Sequence, residues 1–249
     1  MTEKQYHIDL APGDVGRYVL LPGDPARAEK ISGYFDDPRE VAFKREYRTF
    51  TGTVEGIKVS VTSTGIGCPS AAIALEELVA VGADTFIRVG TAGSLQEKVD
   101  VGHLAIATGA IREEGTTRQY LPLSYPAVSD PEVLFALKQA AGELGYPAHL
   151  GITHCKDAFY SEHEGYAAQE EINQLIWKTW LRSNVISTSM EEAALFVVGT
   201  LRRVRVGALA TIIGQTWAGK PIIKSVDPEN AIRTALRAFV ILDGQERGK

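Results

Sequence analysis

Residues 84–94 read DTFIRVGTAGS, and the fold turns on how this stretch divides. Thr85 to Val89 is β-branched and apolar, the composition of a buried strand. Gly90, Thr91, Ala92, Gly93 and Ser94 are small, and they predict a flexible turn that exposes backbone N–H groups. Arg88 places a charge near the end of that strand. A buried guanidinium is costly unless an anion or a carboxylate faces it. Two readings follow: an anion site at the strand exit, built for phosphate or carboxylate, or a salt bridge to an acid at the sheet rim.

Around this stretch, 249 residues suffice for one large α/β domain, taken as residues 1–249, because no repeat, low-complexity tract or linker interrupts them. A net charge of −5 argues against a general nucleic-acid binder. Cys68 and Cys155 alone make a disulfide framework unlikely to be the stabilising device and fit a reducing cytosol. MTEKQYHIDL lacks a basic-then-apolar signal pattern, and no apolar run approaches the ~20 residues of a membrane span. The expectation is a cytoplasmic, non-membrane protein.

Upstream, Arg17 to Leu21 reads as a strand ending at Pro22-Gly23. Asp24-Pro25 then opens a helix, with Asp as N-cap and Pro at the first helical position. Arg27 falls in its first turn, beside free N–H groups, where an anion is favoured. Val41 to Val61 alternates like hairpins, and Lys44 to Arg48 reads as a solvated charge cluster. Lys58 to Thr62 is a strand that runs into STGIGCPS and a helix reaching about Val81.

Downstream come strands at Leu104 to Ile111, Gly151 to Lys156 and Arg205 to Ile213. Helices are expected near Asp130 to Leu144, Gln169 to Arg182, Ala193 to Leu201 and Ala231 to Leu242. Trp177 and Trp180 read as core or interface packing. Ser189 with Glu192 reads as a capping box, which leaves Met190 and Glu191 in an exposed first turn.

Two glycine motifs carry no chemistry. In GIGCPS the third glycine of a dinucleotide fingerprint is Ser70, and the next strand ends without an acid for a ribose hydroxyl. Gly214 to Lys220 matches most of a P-loop, but Pro221 stands where Mg²⁺ needs a hydroxyl.

Gly23 with Arg27, Arg45, Arg88 with Thr91, and Met190-Glu191 remain as features that can converge. Several arginines and a Gly-rich loop would neutralise a phosphate dianion, and a carboxylate would accept hydrogen bonds from vicinal sugar hydroxyls. Through YHIDL, PGDPAR, KREYRTF, STGIGCPS, FIRVGTAGS, CKDAFY and SMEEAALF, in that order, the chain resembles the uridine phosphorylases of the nucleoside phosphorylase family.

That resemblance implies an α/β three-layer sandwich whose mixed, partly barrel-like central sheet is flanked by helices, with dimers assembled into a hexamer. It implies phosphate binding by Gly23, Arg27, Arg88, Gly90 and Thr91, with Arg45 reaching in from the neighbouring subunit. His7 would cross the same interface to a ribose held by Met190 and Glu191, and Phe159 would line the base. Glu46, Ile66 and Ser70 match positions that hold a monovalent cation between subunits. Arg88 and Glu191 are the expected catalytic pair, with inorganic phosphate as co-substrate and no divalent metal or organic cofactor. The implied activity is phosphorolysis of uridine or a related nucleoside.

Departures from the family pattern gather at the base end. The Gln and Arg that read uracil correspond to His163 and Gly165, and Gly165 has no side chain. A lost charge-assisted contact to a leaving group costs on the order of 2–4 kcal/mol. Ser189 replaces a Glu ahead of Met-Glu. Gly214-Gln215-Thr216 lacks the Arg often found there and the Asp that protonates purines, which leaves Gln215 as the base-side candidate and disfavours purine cleavage. A purine nucleoside phosphorylase and a weakened nucleoside- or phosphate-binding oligomer are the alternatives.

Overall fold

In the computed structural model, which describes residues 3–163, 165–219, 223 and 226–248, strand β5 (Thr85–Ser94) has hydrogen-bonded neighbours on β1, β9 and β10. The strand therefore extends through all of DTFIRVGTAGS except its first residue. The flexible turn expected from Gly90 to Ser94 is absent. Gly90, Thr91 and Ala92 pair with Ala210, Thr211 and Ile212, and Gly93 pairs with Gly214. A second backbone supplies the partners that small residues would otherwise leave to water.

The elements follow as β1 (Tyr18–Leu21), α1 (Pro25–Ser32), β2 (Asp36–Lys44), β3 (Tyr47–Val54), β4 (Ile57–Thr62), α2 (Cys68–Ala80) and β5. After these come β6 (Leu104–Glu113), β7 (Ala127–Val128), α3 (Pro131–Glu143), β8 (Ala148–Lys156) and α4 (Glu170–Arg182). The chain closes with β9 (Ser187–Ser189), α5 (Glu192–Arg202), β10 (Arg205–Gly214) and α6 (Glu229–Arg247).

β10, β6, β8, β9 and β5 close on themselves as a barrel, because β5 bonds both β9 and β10. From β5 the sheet continues outward through β1, β4, β3 and β2. β1 runs parallel to β4 and β5, and β10 runs parallel to β5, so their C-terminal ends emerge together. Ligands bind at such carboxyl ends in parallel arrangements.

Alternate strand residues feed two helix layers. Ile87 and Val89 join α3 and α6 in one core, with Leu137, Ile232 and Phe239. Phe86 joins α2 and α5 in the other, with Leu75 and Phe196. The three-layer arrangement with a barrel-like centre is the one expected. Asp24 caps α1 by accepting from the Ala26 N–H, as Asp-Pro predicts, and Asp130 caps α3 through the Val133 N–H. Trp177 and Trp180 are only half-buried, on a helix with no buried residue, where they flank the His154 ring. No helix among the described residues is long and apolar enough to cross a membrane.

Candidate active site

β1 keeps β5 company only as far as the Leu21–Arg88 pair, and β9 begins at Gly93. Between those points one edge of β5 is free of strands. Chain arriving from three directions fills this gap. The loop after β1 brings Gly23 and leads to Arg27 in the first turn of α1, and it is laced to the loop after β4 by Gly65 N–H to Gly23 O at 2.9 Å. A Cβ on Gly23 would meet Gly65 O at 3.0 Å, so this crossing favours glycine. β9 runs antiparallel to β5, and the residues after Ser189 return toward Arg88.

Arg88 meets the acids that the second reading requires and keeps one nitrogen open. It is 5% exposed, and its Nη2 donates to Glu191 Oε2 while its Nε donates to Glu192 Oε1 at 3.2 Å. Its Nη1 is buried and has no partner. A buried guanidinium nitrogen left open is costly unless something arrives to accept from it. Burial alone would lower the Arg88 pKa, but Glu191 and Glu192 more than offset this and raise it.

Arg27 is the second cation. Its Nη1 donates to Val89 O at 3.4 Å. Burial first, and then the adjacent Arg88 charge, lower its pKa, with Asp24 and Glu191 opposing. Two guanidiniums that disfavour each other's charge form a site an anion would relieve. Arg27 and Thr91 share a cleft of about 320 Å³ with Asp24, Lys30 and Pro228.

Glu191 corrects the capping-box reading. α5 begins at Glu192, and Glu191 is its N-cap without being an exposed first-turn residue. It is 3% exposed, and its Oε1 accepts the Gly67 N–H at 2.8 Å. Gly67 sits at φ +94°, a conformation that aims that N–H and favours glycine. Ser189 Oγ does not cap the helix; it donates to the Glu192 carboxylate, which also takes Arg88. The buried charge of Arg88 recruits both acids, and this outweighs the local capping preference. Burial pushes the Glu191 carboxyl up; Arg88 pulls it back and Glu192 adds to the rise. Met190 is half-buried beside it, and its carbonyl accepts from Cys68 Sγ at 3.3 Å.

The remaining candidates are arranged as follows. Gly90 lies against Arg88, whose Nε is 3.4 Å from the position of a Cβ there. His7 and Arg45 do not join Arg88 through any described contact of this chain. His7 Nδ1 bonds Glu77 at 2.5 Å, and exposed Arg45 lies 6.0 Å from the centre of the Tyr6 ring at the turn between β2 and β3. Ser70 Oγ donates to Glu46 Oε1 at 2.7 Å, and Ile66 beside them is 77% exposed.

Phe159, Tyr160, His163 and Tyr166 form one aromatic group, with Phe159 and His163 centroids 6.2 Å apart. Gly165 adopts φ +82° and donates its N–H to Glu170, so a turn geometry accounts for glycine there. Glu164 lies outside the described residues, as do Lys220 and Pro221 of the P-loop-like stretch.

Gln215 donates to Asp100 Oδ1 at 2.8 Å. The turn that follows it presses on β5, and a Cβ on Gly93 would fall 2.0 Å from Thr216 Oγ1. Gly93→Ala is therefore expected to destabilise by about 1–3 kcal/mol. Thermal melts of the two proteins read the loss.

The loop that holds Asp100 is latched by His103, whose Nδ1 lies 3.0 Å from His149 Nε2. That contact requires one neutral ring. Burial, then the His103 charge, depress the His149 pKa below its ordinary 6.5. The folded state therefore holds fewer protons than the unfolded chain, and the contribution is complete above pH 6.5 and lost as pH falls below it. A Tm–pH profile should drop over this interval, and His149→Gln should flatten that drop.

Sequence reasoning missed Glu192 as an Arg88 partner, Gly67 as the donor that seats Glu191, and buried Lys156 near Phe159. Only Lys156 left a signal, a charge at the end of the strand read from Gly151 to Lys156.

The sequence pattern of the Phosphorylase superfamily matches residues 17–243. The uridine phosphorylase of Treponema pallidum is 48% identical, over 98% of this chain and 96% of its own. The guanosine phosphorylase of Halorubrum lacusprofundi is 38% identical, over 96% of this chain and 99% of its own. The crystal structure of uridine phosphorylase from Vibrio fischeri matches with a TM-score of 0.85 at 31% identity, covering 97% of this chain and 98% of that one.

Proposed function

The chain belongs to the phosphorylase superfamily, and on that premise we propose that it is a pentosyltransferase that cleaves uridine with inorganic phosphate. The observation that carries this reading is the open, buried Nη1 of Arg88 beside Arg27. In the reaction a phosphate oxygen bonds C1′ of the ribose as the C1′–N1 bond breaks, its electron pair leaving with the base. Hydrogen phosphate and uridine then give ribose 1-phosphate and uracil, the phosphate proton ending on the base. Cleavage of an N-glycosidic bond builds positive charge on the ribose, so a bound phosphate serves as nucleophile and counter-charge.

Arg88, Arg27, Gly23, Gly90 and Thr91 hold the phosphate. Met190 and Glu191 orient the sugar, and the Arg88–Glu191 pair sets the two reactants edge to edge. Arg45 and His7 complete the site of a neighbouring subunit in a hexamer. Glu46 and Ser70 present oxygen donors suited to a monovalent cation. Phe159, His163 and Gln215 line the base.

Purified protein incubated with pyrimidine and purine nucleosides, with and without phosphate, tests the reading through the free base released. Phosphate-dependent release from uridine is expected. Phosphate-independent release would instead identify a hydrolase. The departures at Gly165 and Gln215 keep guanosine on the panel, since a relative of similar coverage is a guanosine phosphorylase. Preference for guanosine would reassign the base.

A further inference from the structure

The base end lacks the arginine of the family pattern: Gly165 stands in its place, and Gln215 donates to Asp100. We propose that Lys156 supplies the cation at the edge of the departing base and so determines specificity for a pyrimidine leaving group; this rests on the phosphorolysis reading above.

Lys156 ends β8 and is only 7% exposed. Cys155 pairs in register with Ser189, so Lys156 comes one residue further along, level with Met190. Its ammonium lies 5.9 Å from the centre of the Phe159 ring and 5.5 Å from that of Trp177. Together with Glu113, Asn173 and Trp177 it lines a cavity of about 270 Å³ at the exit of β8. The cavity thus joins a flat aromatic wall, an amide and a cation, which are the groups that grip a planar heterocycle bearing carbonyl oxygens.

Leaving-group chemistry gives the cation its task. A pyrimidine departs with the electron pair of the C1′–N1 bond, its charge spreading onto the O2 and O4 carbonyls. It has no N7 to protonate, so an ammonium at the base edge stabilises the charge that develops there. Glu113 lines the same cavity, and its carboxyl is engaged by His154 and Trp180.

The test compares uridine with 5-fluorouridine, whose base is a better leaving group, at saturating phosphate in wild type, Lys156→Met, Lys156→Gln and Lys156→Arg. The Met and Gln variants are expected to lose about 100-fold in kcat/KM on uridine and about tenfold less on 5-fluorouridine. The KM for phosphate should hold and the Arg variant should recover most of the loss. Thermal melts establish that each variant folds. If the Met variant does not fold, the ratio in the Gln variant decides. Equal losses on both nucleosides, or none, overturn the proposal while leaving phosphorolysis standing. A wild type that releases no uracil in the presence of phosphate overturns the activity and this proposal with it.

Discussion

Replacing Arg88 with Ala is expected to reduce kcat/KM for phosphate-dependent cleavage by at least ~10³-fold, because it removes the central charge of the anion site. The same change removes the one cation shared by two buried acids, Glu191 and Glu192. Breaking a buried pair in this way costs about 3–5 kcal/mol when the orphaned charge stays ionised. Relief comes by protonation. With Arg88 gone, burial and the neighbouring Glu192 leave the Glu191 carboxyl with a folded-state pKa raised above that of the unfolded chain. The variant is then most stable below the usual carboxylate range and loses stability as pH rises. Its Tm deficit relative to wild type should be larger at pH 8 than at pH 5. Near-normal phosphorolysis would sink the role given to Arg88, and a pH-independent deficit would sink the electrostatic account. Arg88→Lys keeps the charge but not the fork that spans two acids and an anion, and should recover stability better than rate.

Glu191→Gln should cost about 10²–10³-fold in kcat/KM on uridine. The amide can still accept the Gly67 N–H, so the chain around it keeps its seat, but it no longer carries the negative charge beside the sugar. If the carboxylate works through the vicinal hydroxyls of ribose, the penalty on 2′-deoxyuridine must be much smaller, since one of the hydroxyls is missing. The two nucleosides and two enzymes form a cycle that isolates that contact. Equal penalties on both would move Glu191 from ribose binder to mere counter-ion of Arg88.

These two residues also show how far the sequence could be read. Arg88 was legible because a charge inside an apolar strand has few explanations, and its two readings named both a ligand and an acid. Which acid it meets was not legible. Glu192 looked like a capping residue by its spacing from Ser189, a local rule that holds only while nothing stronger is near. Arg88 lies 104 residues away in sequence, and its buried charge outweighs a cap worth about 1 kcal/mol. Gly90 to Ser94 misled for a similar reason. Small residues favour turns when left alone, but here β10 pairs with Gly90 to Gly93 along one edge and β9 pairs with Gly93 and Ser94 along the other.

What the sequence determined by itself was most of the elements and the basic residues from which the anion site is proposed. Asp24-Pro25 caps a helix, apolar runs make strands, and arginines seek anions, all through forces acting over a few residues. The tertiary structure decided that β5 would be shared between a barrel and an open sheet, that Glu191 would be buried against Arg88, and that Lys156 would end beside Phe159. Such pairings depend on which distant strand ends are brought level. Register is a property of the whole sheet, and no stretch of sequence carries it alone.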